Sequence, residues 1–547
     1  MCIRDRINRI PLVILIIADG DRSIQNFETS NKDFFIPGKS IEIKAGYHTD
    51  ETTIFKGIVF QQSIRIREGS SRLYVKCKDE YFKTTIAKKN RVLEAVKDSD
   101  AIETILSDYN LKKEVDSTSV THQELVQVNA TDWDFILSRA DANGRICMVN
   151  DGKLIIDKPT FKTNDAFEFS YGKHIIEFDG EINGQKQYEG VMAKSWDFAG
   201  QEIIDTDGQE PSYTGTGNLN GSTISSDLGQ PIYELFHSGN LKTEELQAWA
   251  DAKLLRSRLA QAVGRLKVQG TAEIQLGQMI KLSGVGERFN GHVFVSGILH
   301  KIVSGNWTTD IQFGLDEKWF SESYNISALP SSGLLPAIQG LQNGVVTQLA
   351  EDPEGEYKIK VRFPIIDPAG EGIWCRLSCL DAGENRGSFF RPEINDEVIV
   401  GFINNDPRDA VVLGMLHSSD KPSPEPITDE NHKKGYHSRE ALKMEFDDEL
   451  KVISMETPGG NKFRLDDDFG GIVLEDQNGN KITLNSDGIT IESAKDLIFK
   501  TSTGDATIEA INITASAQAS LKTQGSSSSE ISSGGTTTVK GSLVQIN

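Results

Sequence analysis

The chain has 547 residues, 37% of them hydrophobic, and 80 acidic side chains against 58 basic ones give it a formal net charge of −22. That length exceeds one hydrophobic core and predicts three or four domains. The acidic balance argues against nucleic acid or an anionic membrane surface as the partner, since either would repel the chain, and no apolar run reaches the ~20 residues of a spanning helix.

Residues 1–6 fit neither a first strand nor a secretory signal, so the expectation sets residues 1–10 apart as a non-native or incomplete start. The run 11–18 follows Arg4, Arg6 and Arg9 and imitates a short secretory signal. Its β-branched Val13, Ile14, Ile16 and Ile17 lead into Asp19-Gly20, which predicts a first strand and a turn instead. Residues 40–47 and 53–60 read as strands. Apolar Ile102, Ile105, Leu106 and Tyr109 predict a helix over 101–109 with Ser99 as its cap. A second helix starts behind Thr131, buries Trp133, Ile136, Leu137 and Ala140, and stops at Gly144. The longest helical signal covers 243–263, with Gly264 beyond it, and strands follow at 274–282 and 292–302. His300 lies on the last of these without a partnered nucleophile or acid, which favours a hydrogen-bonded core histidine over a catalytic base. No Gly-x-Ser-x-Gly, His-Glu-x-x-His or phosphate-loop pattern occurs in this half.

Strand-like runs at 344–349, 357–363, 373–380, 397–402 and 411–415 predict a small closed barrel within 340–418. Asp352-Pro353-Glu354-Gly355 makes a turn, and Pro364, Pro392 and Pro407 sit at strand ends. The ordered blocks Lys360-Val361-Arg362-Phe363-Pro364, Trp374-Cys375-Arg376-Leu377, Arg391 to Phe402, Asn405-Asp406-Pro407 and Val411-Val412-Leu413-Gly414 resemble the OB-fold of VgrG proteins, the phage-tail-spike relatives at the tip of contractile injection systems. Cys375 and Leu377 stand where that family more often carries valine. In the first half, Asp132-Trp133-Asp134-Phe135-Ile136-Leu137-Ser138-Arg139-Ala140 with Asn143-Gly144 is similar to a VgrG hub motif. Gly277 to Leu282, Phe289 to Val295 and Ile298-Leu299-His300 resemble the last hub barrel, with Leu276 in place of the usual proline.

The five cysteines, Cys2, Cys77, Cys147, Cys375 and Cys379, are odd in number and widely spaced, which predicts buried thiols rather than a disulfide framework. Cys375 and Cys379 fall four apart on one predicted strand and so on one face. Residues 419–443, with Pro422, Pro424 and Pro426, read as a linker or neck.

From residue 444 onward, pairs of β-favouring residues separated by one position recur at Ile482/Leu484, Ile489/Ile491, Leu497/Phe499, Ile511/Ile513, Ala519/Leu521, Thr537/Val539 and Val544/Ile546. Strands this short bury too little alone, so partners are required, and three chains sharing one axis would enclose the pairs. This pattern resembles the intertwined β-helix of tail spikes. No histidine follows His437, which predicts a needle that holds no metal of its own. The shaft would instead be sharpened by a separate PAAR-type tip protein docked on Leu543, Val544 and Ile546.

The expectation is thus a mainly β chain with a few helices. A tail-hub-like unit of β-barrels and helices spans 11–330, an OB-fold barrel 331–418, a neck 419–443, and a trimeric intertwined β-helix, a β-prism, 444–547. Ile482, Leu484, Ile489, Ile491, Leu497, Phe499, Ile511, Ile513, Leu521 and Val539 would pack on its axis. The resemblance implies a non-enzymatic, cofactor-free homotrimer that joins an Hcp-like tail-tube ring to the tip protein. It would contact baseplate proteins and secreted effectors, assemble in a bacterial cytoplasm, leave with the injection machine, and touch the target membrane only transiently. Two other readings stay open: a cell-wall or polysaccharide hydrolase using the carboxylates of 447–449 or 466–468, and an OB-fold module for a receptor or nucleic acid. The sequence does not separate a type VI apparatus from an extracellular particle or a prophage tail.

Overall fold

The computed structural model describes residues 1–164 and 166–546 and divides into two compact units, Met1–Gly340 with Phe402–Ala410, and Leu341–Gly401 with Val411–Asn547. Asn547, the last residue of the expected shaft, lies outside the described residues.

In the first unit an eleven-stranded sheet begins where the sequence predicted nothing. Residues Cys2–Arg6 form a strand hydrogen-bonded antiparallel to Leu12–Ala18 on one side and to Gly291–Val303 on the other. Ile3 is 2% exposed and packs with Val13, Val59, Leu73 and Val75. Only Ile3 carries the apolar alternation, because Arg4, Asp5 and Arg6 break it, and pairing on both edges supplies what propensity does not. The predicted strand at 11–18 is present as Leu12–Ala18, and 40–47 is present as Ser40–Tyr47. The strand expected at 53–60 belongs to the longer Asp50–Arg67.

The first helix runs Asp98–Ser107, three residues earlier than its apolar spacing suggests, so Ser99 lies in the first turn and does not cap it. Buried Asp98 draws the start back, because it meets both the strand Thr121–Thr131 and the second helix. Its carboxylate accepts from His122 Nε2 at 2.9 Å, Asn143 Nδ2 at 2.9 Å and Arg139 Nη2 at 3.1 Å. The second helix, Asp132–Ala142, has its expected cap: Thr131 Oγ1 accepts from the Asp134 backbone N–H at 3.1 Å. Trp133, Ile136, Leu137 and Ala140 are buried in one core with Ile102, Ile105 and Leu106. Gly144 takes the left-handed conformation expected of a helix stop, with φ +64°.

The third predicted helix ends early, at Leu259, and Ala262–Gln269 is a strand. Gly264 is a mid-strand residue whose added Cβ would lie 2.2 Å from the Asp179 carbonyl, so close approach of two strands, not helix termination, requires glycine there. Of the run 274–282, only Met279–Ser283 is a strand. His300 is a satisfied core residue, its Nδ1 3.0 Å from Thr309 Oγ1 and its basicity pushed down to about 4 by burial.

The five barrel strands are Gln342–Gln348, Ile359–Arg362, Ile373–Leu377, Glu397–Phe402 and Ala410–Met415, and they close on themselves. Val346, Ile359, Val361, Cys375, Val398, Val400 and Val412 are fully buried and fill the interior. The hairpin turn is held by Asp352, whose carboxylate accepts from the backbone N–H groups of Glu356 at 2.7 Å and Lys358 at 3.1 Å. Cys375 and Cys379 do not share a strand face: the strand ends at Leu377, leaving Cys375 buried and Cys379 exposed. All five cysteines are free thiols.

Candidate functional site

The remainder of the second unit is built from very short strands. Seven five-residue strands, from Lys433–His437 to Gly488–Glu492, form an antiparallel meander in chain order. Its first strand begins inside the stretch read as a neck. Tight turns make this possible within one chain. At Asp476 to Asn480, for example, the Asp476 carboxylate accepts from the Asn478 and Asn480 backbone N–H groups at 2.8 and 2.9 Å. The Asn480 side-chain amide, donating at 2.7 Å, and these backbone donors hold the Asp476 carboxyl down to about 2.

The register aligns the apolar residues in two rows across the sheet. One row pairs Met444 with Met455, Met455 with Phe463, Phe463 with Leu474, Leu474 with Ile482 and Ile482 with Ile491. The other pairs Phe446 with Ile453, Ile453 with Leu465, Leu465 with Ile472, Ile472 with Leu484 and Leu484 with Ile489. Alternation puts both rows on one face and leaves Glu445, Arg464, Glu475, Lys481 and Glu492 on the other. In a single chain the apolar face is uncovered: Met455 is 44% exposed, Ile491 45% and Ile489 71%. Row one lines a groove of about 990 Å³ between Met444 and Leu497.

Four of the expected axis residues, Ile482, Leu484, Ile489 and Ile491, therefore sit together on this face. The other six are not brought together within the chain. Residues 493–546 make no backbone ladder among the described residues, and Leu497, Phe499, Ile511, Ile513, Leu521 and Val539 are all exposed there. Leu543, Val544 and Ile546 are exposed in the same segment. An intertwined shaft would draw its strand partners from neighbouring chains, whereas from Lys433 to Glu492 the partners are intrachain, because turns of this length fold each strand back on its predecessor.

Three of the six carboxylates of the hydrolase reading have local partners. Asp466 pairs with Arg464 and accepts from the Phe469 N–H, Asp447 accepts from the Leu450 N–H, and Asp448 pairs with Lys434. Basic groups of the barrel are likewise matched by acids, as in Lys358 with Glu354, Lys360 with Glu371 and Arg408 with Asp406. One further grouping gave no signal in the sequence: Glu425, His437 and Glu445 bring donor atoms within 4.8 Å of one another across a turn of the chain that spacing alone does not define.

A filled five-stranded barrel followed by a polar-backed, apolar-faced ladder of minimal strands defines the tail-spike class of protein. Three family models match successive parts of the chain: the Alg8 N-terminal domain over residues 1–304, the type VI secretion system/phage-baseplate injector OB domain over 342–417, and the phage baseplate V C-terminal trimerisation domain over 452–547. Residues 1–304, more than half of the chain, belong to the Alg8 N-terminal domain family, and the chain carries the injector OB and trimerisation domains of VgrG-like hub-and-spike proteins.

Two spike proteins of the type VI secretion system of Pseudomonas aeruginosa are similar to it. VgrG1b is 24% identical over 251 residues, 43% of this chain and 33% of that protein, and VgrG1a is 26% identical over 174 residues, 29% and 27% respectively. The chain thus spans about a third or less of the length of these relatives. Among solved structures, the E. coli c3393 component of a type VI system aligns with TM-score 0.37 at 12% identity, over 76% of this chain and 95% of that one. VgrG in the half-lidded Francisella PdpA–VgrG complex aligns with TM-score 0.38 at 10% identity, over 90% and 83%. No helix among the described residues is long and apolar enough to cross a membrane.

Proposed function

We propose that the protein is the homotrimeric central spike and baseplate hub of a contractile injection system. The observation that carries this reading is the pair of apolar rows from Met444 to Ile491, which a single chain leaves open to water. Burying such a side chain fully gains about 1.5–3 kcal/mol, of which the partly covered residues here would gain about half or less, and three copies with these faces turned to a common axis make a closed prism with charged outer walls. The match of residues 452–547 to a trimerisation domain supports the same stoichiometry.

Among the described residues beyond Glu492 there are apolar pairs but no ladder, and here strands would be completed by neighbouring chains, in the intertwined manner expected of tail spikes. Leu497, Phe499, Ile511, Ile513, Leu521 and Val539 would then line the axis. Leu543, Val544 and Ile546 would present a blunt apolar end to a PAAR-type tip protein. The hub would seat on an Hcp-like tube ring within a baseplate, carry effectors, assemble in the cytoplasm of a bacterium and leave it when the sheath contracts. Force concentrated on the shaft pierces the envelope, and this requires no reaction chemistry from the chain.

The test is a double substitution, Ile482→Asp with Ile491→Asp, a directly paired couple in the first row, which would face the axis. Buried unpaired carboxylates cost several kcal/mol each, so sedimentation of the variant should show species smaller than the parent oligomer. An unchanged oligomer would remove the apolar face as the basis of assembly.

A further inference from the structure

We infer that Glu425, His437 and Glu445 form a binding site for a first-row transition-metal dication, Zn²⁺ in the first instance, which staples the neck to the base of the shaft. The three residues come from distinct parts of the second unit: Glu425 from the proline-rich neck, His437 from the end of the strand Lys433–His437, and Glu445 from the middle of Lys443–Asp447. His437 Nε2 lies 2.9 Å from Glu445 Oε1, and one donor atom of each residue lies within 4.8 Å of the other two. A four-coordinate ion with bonds of ~2.1 Å holds its donors about 3.4 Å apart. The spacing of His437 and Glu445 lies below that value and no pair exceeds 4.8 Å, so small rotamer shifts would close the shell.

Backbone features aim the donors. Tyr436 stacks on Phe390 with ring centroids 4.6 Å apart, and strand alternation therefore turns its neighbour His437 to the opposite face. On that face Gly435 stands directly across from Glu445. A Cβ at 435 would come 2.4 Å from the Met444 carbonyl and 3.3 Å from Glu445 Cγ, so glycine allows the close strand approach that sets Glu445 beside this position. The side chains of His437 and Glu445 are 15% and 23% exposed, and that of Glu425 33%, which shields the pocket while leaving an entry path. Lys433 Nζ, 3.7 Å from Glu425, is the cation nearest this carboxylate and would be displaced when the metal binds.

The donor set selects the metal. One imidazole with two carboxylates suits Zn²⁺ and its first-row neighbours, whereas all-oxygen shells suit Mg²⁺ and Ca²⁺. Three protein ligands leave a position for water. The role assigned is a cross-link, since the ion would join residue 425 to two adjacent strands and restrain the segment between them. The site takes Glu445 from the shaft, which the sequence predicts to hold no metal of its own, so the assignment departs from that expectation.

The experiment uses the untagged full-length protein, stripped with chelator and dialysed to equilibrium against Zn²⁺, with protein-bound metal quantified and Co²⁺ absorption recorded in parallel. One ion per chain is expected. Glu425→Gln and His437→Gln should each weaken binding by at least about tenfold, while Glu449→Gln, in the turn after Asp447, should bind as the parent does. Glu425 lies outside every strand, so its variant separates loss of a ligand from loss of the fold. Absence of stoichiometric binding, or parental affinity in either ligand variant, would overturn the assignment.

Discussion

The rings of Phe390 and Tyr436 lie parallel, 4.6 Å apart at their centroids and inclined by 7°, joining a loop of the five-stranded barrel to the first strand of the shaft. Both rings are at least half exposed, so their contact contributes through stacking more than through burial. Such a pair is worth about 0.5–1.5 kcal/mol. Tyr436→Ala should therefore leave barrel and shaft folded but loosen their junction. Hydrogen exchange is expected to quicken across residues 419–437 and to stay unchanged in the barrel strands.

Asp98 ties the start of one helix to a strand and a second helix. Burial alone would raise its carboxyl, but hydrogen bonds from His122, Arg139 and Asn143, with the Arg139 charge, override that and hold it well below the usual carboxylate range. Because the folded value is depressed, the group stabilises the fold above the ordinary carboxylate pKa of about 4 and loses that contribution as pH falls through the folded value. Asp98→Asn leaves Arg139 short of a partner in a nearly buried site and should cost about 3 kcal/mol near neutrality. Denaturant midpoints of parent and variant should converge in acid.

Asp5 behaves in the opposite sense. Burial above all pushes its carboxyl up to about 7, with Asp79 and Asp151 adding to the rise, and its Oδ1 accepts no hydrogen bond. Between the unfolded value of about 3.9 and the folded one, rising pH ionises the unfolded chain preferentially and so destabilises the fold. Asp5→Asn should raise stability by about 2 kcal/mol at about pH 8 and change little at about pH 4. Thermal melts at the two pH values check this directly.

The thiols should separate by access. Cys375 is pushed up to about 12 and Cys77 to about 11 by burial, Cys147 is raised well above its usual value for the same reason, and Cys379 is exposed. A disulfide reagent added to the native protein should label Cys379 rapidly, and Cys379→Ser should abolish that fast phase. Cys77, Cys147 and Cys375 should react only on unfolding.

The elements legible in the sequence are those whose local signals agree with their surroundings. Thr131 at its cap, the alternating valines of the barrel and the two-residue pairs at Ile482/Leu484 and Ile489/Ile491 each declare their structure through side-chain pattern alone. Cys2–Arg6 is a strand because two neighbours pair with it, and nothing in its own residues says so. Gly264 looks like a helix stop yet answers to the Asp179 carbonyl across a strand pair. Likewise Asp98 moves a helix start by bonds to residues up to 45 positions away in sequence. The Glu425, His437, Glu445 grouping escaped notice for a related reason, since its spacing follows from strand register rather than from any fixed interval. By contrast, Leu497 to Val539 carry the shaft's pattern into a segment that one chain leaves without a ladder, where a pattern of burial needs companions to be expressed.

The solution mass of the purified chain, set beside that of a truncation ending at Lys443, tests the central claim most directly. A full-length species of three times the chain's 60.3 kDa, with the truncated form markedly weaker in association, is the result predicted. A full-length monomer, or a truncated form that holds three chains as firmly as the whole, would contradict assembly through a shared apolar axis.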